Sequence, residues 1–206
     1  MGAPGAGKGT QAERLEKELR YKHISTGDVL RREIASGSEL GKQVAAIING
    51  GDLIPDELML SILKQVISTI NGDIIFDGFP RTAVQAEMLD RMLAELGRKL
   101  DKVIEITVPD EKVVERLSAR KQCKLPSGEI KQISPDFSLE QCQIQGGEVF
   151  TRPDDTPDSI MHRLAVYHKQ TDPVADFYRE AGRFAEVNGD QAPDKVFADL
   201  ITILKA

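Results

Sequence analysis

The chain has 206 residues, with 27 Lys and Arg against 33 Asp and Glu, giving a formal net charge of −6. Forty per cent apolar and 29% charged residues are ordinary globular proportions, enough to bury a core, and they exclude a disordered or fibrous class. The acidic balance argues against a surface that wraps nucleic acid. Two cysteines, Cys123 and Cys142, cannot build a disulfide framework, which points to a reducing compartment. No apolar run reaches transmembrane length, and the glycine-rich start does not read as a signal segment. The expectation is a soluble, cytoplasmic protein with no membrane or nucleic-acid partner.

Ala12, Leu15 and Leu19 recur at helical spacing from Lys8 to Leu19. Residues 22–25 read as a short strand, after which Thr26 reads as the N-cap of a helix carrying Leu30 and Ile34. A small helix carries Leu40, Val44, Ile47 and Ile48 and ends at Gly50-Gly51, and Pro55 opens a longer one through Leu63 and Val66. A buried strand over 73–76 leads into Asp77-Gly78-Phe79-Pro80-Arg81, and a helix over 82–96 stops at Gly97. Strand 103–108 and helix 110–120 follow. Residues 121–151, with Pro126, Gly128, Pro135, Gly146 and Gly147, show almost no helical period and read as a small insertion with β-like pieces such as 129–133. Thr156-Pro157 starts the next helix, 184–187 is the last strand and 196–204 the last helix. Helices alternating with short apolar strands favour a parallel sheet covered by helices.

The strongest motif is Gly2-Ala3-Pro4-Gly5-Ala6-Gly7-Lys8-Gly9-Thr10. It fits G-x-x-x-x-G-K, with Gly9 where Ser or Thr is usual and Thr10 one place later. Such glycines let backbone N–H groups turn inward around a phosphate, the following helix adds its positive end, and Lys8 reaches the outer phosphates. The Thr10 hydroxyl can approach phosphate or Mg²⁺. A loop of this kind leaves the carboxyl end of a strand, and only Met1 precedes Gly2, so that strand is expected to be absent from the sheet.

Further blocks follow in order: ISTGD at 24–28, DGFPRT at 77–82, TRPDD at 151–155 and HRLAVYH at 162–168. With GAPGAGKGT at 2–10, they make the chain resemble the adenylate kinases of the long-lid bacterial type. The resemblance implies an α/β P-loop fold of three layers, a parallel-sheet core flanked by helices with a small helical insertion and a small β-rich lid. It places the core at 1–24, 55–120 and 152–206, the monophosphate-binding part at 25–54 and the lid at 121–151. It implies a monomer that reversibly transfers a phosphoryl group from Mg-ATP to AMP, giving two ADP. The acceptor is a phosphate oxygen that is already anionic, so the chemistry needs converging positive charge, alignment and exclusion of water rather than a base.

By the same resemblance Lys8, Arg81, Arg120, Arg152 and Arg163 are the catalytic cations, with guanidinium forks suited to phosphate. Gly5, Ala6, Gly7, Lys8, Gly9 and Thr10 hold the ATP phosphates, and Arg116, Arg120 and Gln191 complete the ATP side. Thr26, Arg31, Leu53, Ile54, Gly78, Arg81, Gln85, Arg152 and Arg163 form the AMP side, with Gln85 reading the adenine edge. Asp52 stands before the Leu-Ile pair where the family often has a basic residue. Asp154 and Asp155 are placed to pair with Arg152 and Arg163. Asp77, and more weakly Asp28, would hold Mg²⁺, directly or through water. Cys123 and Cys142 lack partners at zinc-knuckle spacing, so no structural zinc is expected. Whether the two approach each other is open; otherwise they are two small buried residues. The alternatives are another monophosphate kinase, a GTP-using AMP kinase, or a nucleotide-binding chain of low activity for want of its first strand.

Overall fold

The computed structural model describes residues 1–50, 52–134 and 137–205. Gly51 and Pro135, assigned above to a helix end and to the insertion, lie outside the described residues. The elements run α1 (Lys8–Leu19), β1 (Lys22–Ser25), α2 (Thr26–Ala35), α3 (Glu39–Gly50), α4 (Asp56–Ile67), β2 (Ile74–Asp77), α5 (Ala83–Glu95), β3 (Val103–Thr107), α6 (Asp110–Ala119), β4 (Gln122–Lys124), β5 (Ile130–Gln132), α7 (Leu139–Ile144), β6 (Glu148–Phe150), α8 (Pro157–Val166), α9 (Asp172–Glu180), β7 (Phe184–Asn188) and α10 (Pro193–Lys205). A 3-10 turn over Pro153–Asp155 precedes α8, and a π-turn over Tyr167–Thr171 joins α8 to α9.

Local signals set most helix ends. Thr82 and Thr156 each accept a hydrogen bond from the N–H three residues on, and Gly97 takes the left-handed φ of 67° that closes α5. Thr26 is a correction. Ser25 is the N-cap of α2, accepting from the Asp28 N–H, while Thr26 is the first helical residue and buried. Its hydroxyl donates toward the carbonyls of Asp77 and Gly78, tying α2 to the end of β2. Helix α7 leaves no periodic signal in the sequence, because six residues are too few for periodicity to register. A capping box between Ser138 and Gln141 starts it.

The parallel sheet is divided. β1 pairs with β2 from Lys22↔Ile74 to Ser25↔Asp77, and β3 pairs with β7 from Val103↔Phe184 to Thr107↔Asn188. Among the described residues no ladder joins β2 to β3. Buried apolar residues of α2 to α5 form one cluster around Leu63 and Leu89, so the helices at 26–50 share a core with α4 and α5. A second cluster, with Leu15, Ile106 and Leu200, packs α1 and α10 on β3 and β7.

Strands β4, β5 and β6 form an antiparallel sheet, and with α7 they enclose a small core of their own: Cys123, Leu125 and Cys142 with Ile133 and Phe137. Cys123 and Cys142 are buried and joined by a disulfide, their Cα atoms 5.9 Å apart. They are therefore not two independent small residues. One bridge is no framework, yet it is a bond that a reducing compartment would keep open, so cysteine count was a weak guide.

Gly147 lies against this bridge. A Cβ there would stand 2.3 Å from the Cys123 sulfur and 2.9 Å from that of Cys142. Gly147→Ala is therefore expected to overpack the insertion by about 1–3 kcal/mol. Amide exchange over 121–150 should accelerate while α4 and α5 keep their protection. Unchanged exchange in the insertion would show that the glycine is not needed for close approach.

Candidate active site

The loop before α1 lies where the carboxyl ends of β2 and β3 meet. Gly5 has φ 80°, and a Cβ on it would come within 2.8 Å of Leu117 Cγ, so only glycine serves the turn there. Gly7, the N-cap of α1, supplies no side-chain cap, which leaves the first N–H groups of the helix for a ligand. Lys8 folds back on the loop, its Nζ donating to the carbonyls of Gly2 at 2.7 Å and Ala3 at 2.8 Å. Burial lowers its ammonium to about 8; Asp77 opposes the shift, and Arg81, Arg163 and Arg120 add to it.

Two adjoining cavities, about 90 and 80 Å³, lie beside the loop. The first is lined by Met1, Gly2, Pro4 and Lys8, and the second by Thr26, Arg31, Ile54 and Gln85; Leu53, Gly78, Arg81 and Arg163 line both. Eight of the nine residues assigned to the AMP side therefore surround one cavity, with Arg152 outside it. Arg152 still approaches the group electrostatically. Burial, then the charges of Arg31 and Arg120, lower its guanidinium to about 10, and its Nε donates to Gln122 Oε1 at 2.8 Å.

The other cations are held by their neighbours. Arg81 Nε donates to the Gly78 carbonyl at 2.6 Å, and burial followed by repulsion from Arg163 lowers it to about 10. Arg120 grips the fully buried Asp155 carboxylate with two hydrogen bonds, at 2.7 and 2.5 Å. Arg163 reaches Asp154 at 2.8 Å and Asp155 at 3.3 Å. Asp154 and Asp155 pair with Arg163, as the sequence suggests, whereas Arg120 and not Arg152 takes the second pairing. Arg31 is paired with Asp28, and Arg116 donates to the Gly189 carbonyl at 3.0 Å.

Two assigned polar side chains are engaged within the protein. Gln85 is buried, with its Oε1 accepting from the Arg81 N–H at 2.7 Å and its Nε2 donating to Asp56 at 2.7 Å. Gln191 donates to Asp199 at 2.8 Å. Thr10 is exposed on α1. Sequence reasoning missed Asp56, which braces Gln85 and Thr82, and His23, whose Nε2 lies 3.4 Å from Asp77 Oδ2. No local spacing marks either residue, because each acts across the fold.

Asp77 ends β2 facing α1, since a Cβ on Gly9 would stand 3.4 Å from its Oδ2. Burial pushes its carboxyl up, but the hydrogen bond with His23 and the charge of Lys8 outweigh that and hold it below the usual range. An ionised oxygen ligand beside a phosphate-binding loop fits Mg²⁺, which keeps several waters and takes one or two carboxylates plus phosphate oxygens. Asp28 fits less well, its Oδ1 being spent on Arg31.

A family model described as adenylate kinase matches residues 1–183. The chain belongs to the adenylate kinase family. It is 41% identical over 206 residues to an adenylate kinase of Methanothrix thermoacetophila, covering 99% of this chain and 96% of that protein. It is 44% identical over 194 residues to one of Caldicellulosiruptor bescii, with 93% and 90% covered, and 42% identical over 209 to one of Oceanobacillus iheyensis, with 100% and 97% covered. Membership makes it a nucleoside monophosphate kinase, a phosphotransferase. Among the described residues no helix is long and apolar enough to cross a membrane.

The lowered Lys8 ammonium gives this site a pH signature. Above pH 8 the free protein holds Lys8 increasingly neutral, whereas bound phosphates favour the charged form. ATP binding at pH 8.5 should therefore take up a proton, and affinity should fall as pH rises through 8. Calorimetry in buffers of different ionisation enthalpy reads this directly. Heat independent of the buffer would mean that Lys8 does not change protonation on binding.

Proposed function

We infer that this chain transfers the terminal phosphoryl group of ATP to AMP, giving two ADP, with the assigned residues in the roles set out above. The observation that carries the reading is the pair of adjoining cavities, one against the Lys8 loop and one against Arg31 and Gln85, that share Arg81 and Arg163. A donor phosphate on the loop and an acceptor phosphate against Arg31 would then meet across those two guanidiniums.

In the reaction an AMP phosphate oxygen forms the new bond to phosphorus while the bond to the ADP oxygen breaks, and the leaving ADP keeps the electron pair. No proton need move. Lys8 and the N-terminus of α1 hold the donor, Arg31 orients the acceptor, and Arg81 and Arg163 stabilise the charge spread over the migrating group. When bound, Mg²⁺ neutralises charge on the donor phosphates; Asp77 would hold it, with waters between. Arg120 and Arg163 are tied to Asp155, which lies between the insertion and α8, so closing the insertion over ATP would re-aim both cations. The division into core, monophosphate-binding part at 25–54 and lid at 121–151 belongs to this proposal. So does a monomer in the cytoplasm.

ADP formation from Mg-ATP should be rapid with AMP and far slower with CMP, UMP or GMP. Equal rates with a pyrimidine acceptor, or no ADP with any acceptor, would overturn the assignment. Lys8→Met keeps the stem and removes the charge. It is expected to lower kcat at least about 100-fold, as loss of one preorganised charge does, with the thermal melt nearly unchanged. Full activity in that variant would remove Lys8 from its role.

A further inference from the structure

The helical run from α8 to α9 is interrupted beside the site. Pro173 lies in the first turn of α9. It has no N–H for the Lys169 carbonyl, and its ring would press on that carbonyl in a regular helix, so the chain widens over Tyr167–Thr171. There the Asp172 N–H reaches back five residues, to the Tyr167 carbonyl. Widened turns of this kind re-aim the side chains they carry and recur at functional sites.

Both ends of the turn are fastened across the fold. Thr171 is buried, and its Oγ1 donates to the Arg81 carbonyl at 3.0 Å, 90 residues away, where a helical threonine commonly bonds within its own helix. Tyr167 donates its hydroxyl to the buried Glu105 carboxylate on β3, and its N–H bonds the Arg163 carbonyl one turn back on α8. Burial, and then the Glu105 bond, push the Tyr167 phenol up, so it stays a donor at neutral pH. Tyr167 and Thr171 also line the cavity against the Lys8 loop, together with Arg81 and Arg163. Such ties answer a repulsion. After burial, the charge of Arg163 does most to disfavour that of Arg81, and like charges with no phosphate between them push apart. Arg81 Nε donates to the Gly78 carbonyl within its own turn, a bond that does not reach α8. Thr171 reaches Arg81 through the backbone instead.

We propose that Thr171 and Tyr167 are positioning residues for phosphoryl transfer: the widened turn clamps the Arg81 backbone and the end of α8 to one frame, and so sets the spacing at which the Arg81 and Arg163 guanidiniums receive the migrating group. This rests on the transfer reading above, in which those two guanidiniums meet that group. A clamp of this kind acts on the transition state more than on binding. Each nucleotide keeps its own contacts when the clamp is released, while the alignment between donor and acceptor is lost.

The test is a pair of double-mutant cycles on the full chain, each variant assayed well below its melting temperature so that folded enzyme alone is read. Thr171→Val keeps the shape and removes the hydroxyl. It should lower kcat for ADP formation from Mg-ATP and AMP at least about tenfold, with KM for both nucleotides within about threefold of the starting chain. Thr171→Ser should restore kcat. Placed in Arg81→Ala, the Thr171→Val change should cost less than about twofold, because nothing is left for the hydroxyl to position. Tyr167→Phe should likewise lower kcat in the unmodified chain and leave that of Arg163→Ala nearly unchanged. Losses that multiply in either cycle would overturn the clamp, since a residue that merely holds the fold together slows the enzyme with or without the guanidinium. Undiminished kcat in both Thr171→Val and Tyr167→Phe would overturn it too. If one of these variants fails to fold, the other cycle decides; if both fail, the ties are structural and the proposal falls. An unmodified chain that forms no ADP would overturn the transfer reading itself, and the clamp with it.

Discussion

Like charges brought together away from water are the constraint around which this molecule is arranged. Burial disfavours the charges of Lys8, Arg81 and Arg163, and these cations, with Arg120 beside Lys8 and Arg163, lie close enough to disfavour one another further. Such a group persists because the fold supplies anions in fixed places. Asp155 is fully buried between Arg120 and Arg163, Asp154 takes Arg163, and Asp77 faces Lys8. Under the proposed function these carboxylates hold the cations in the places where phosphates would be received. Protein carboxylates offer fewer acceptor oxygens than a triphosphate facing a monophosphate, so in the proposed reaction the cations would favour the ligand.

The fold serves this arrangement by bringing carboxyl ends of strands to one edge. β2 delivers Asp77 and the Gly78–Arg81 turn, and the chain after β1 delivers Thr26 and Arg31. α6 contributes Arg116, its C-cap is Arg120 and α8 carries Arg163, with Asp155 of the Pro153–Asp155 turn held by Arg120 and Arg163. Helix N-termini and strand C-termini share that edge in any parallel α/β layer, which is why the binding residues are scattered along the sequence. The phosphate loop meets β3 through Met1 and through Gly2, which lies against the Ile106 carbonyl, and Ala6 joins the buried cluster around Ile106.

Much of the site was legible because the phosphate loop, the DGFPRT turn and the arginine-bearing helices are each local. Glycines at turn positions, a lysine at a helix start and an arginine one turn into a helix act within a few residues of themselves. Eight of the nine residues read for the acceptor side surround one cavity. The reading was weakest where a side chain's partner lay far along the chain. Gln85 is braced by Asp56 from the start of α4, Arg120 is held by an aspartate 35 residues away, and Thr26 ties across to Asp77 instead of capping its own helix.

By itself the sequence determined the element order, the phosphate-binding loop and the supply of cations, because periodicity, capping and turn chemistry are set by neighbours along the chain. Only the tertiary structure decided which cations are restrained and by which carboxylates, that Cys123 and Cys142 are bonded, and that β1 pairs with β2 while β3 pairs with β7. Those outcomes depend on distances between residues far apart in sequence. Such distances are fixed by how buried faces pack, and no local pattern records them.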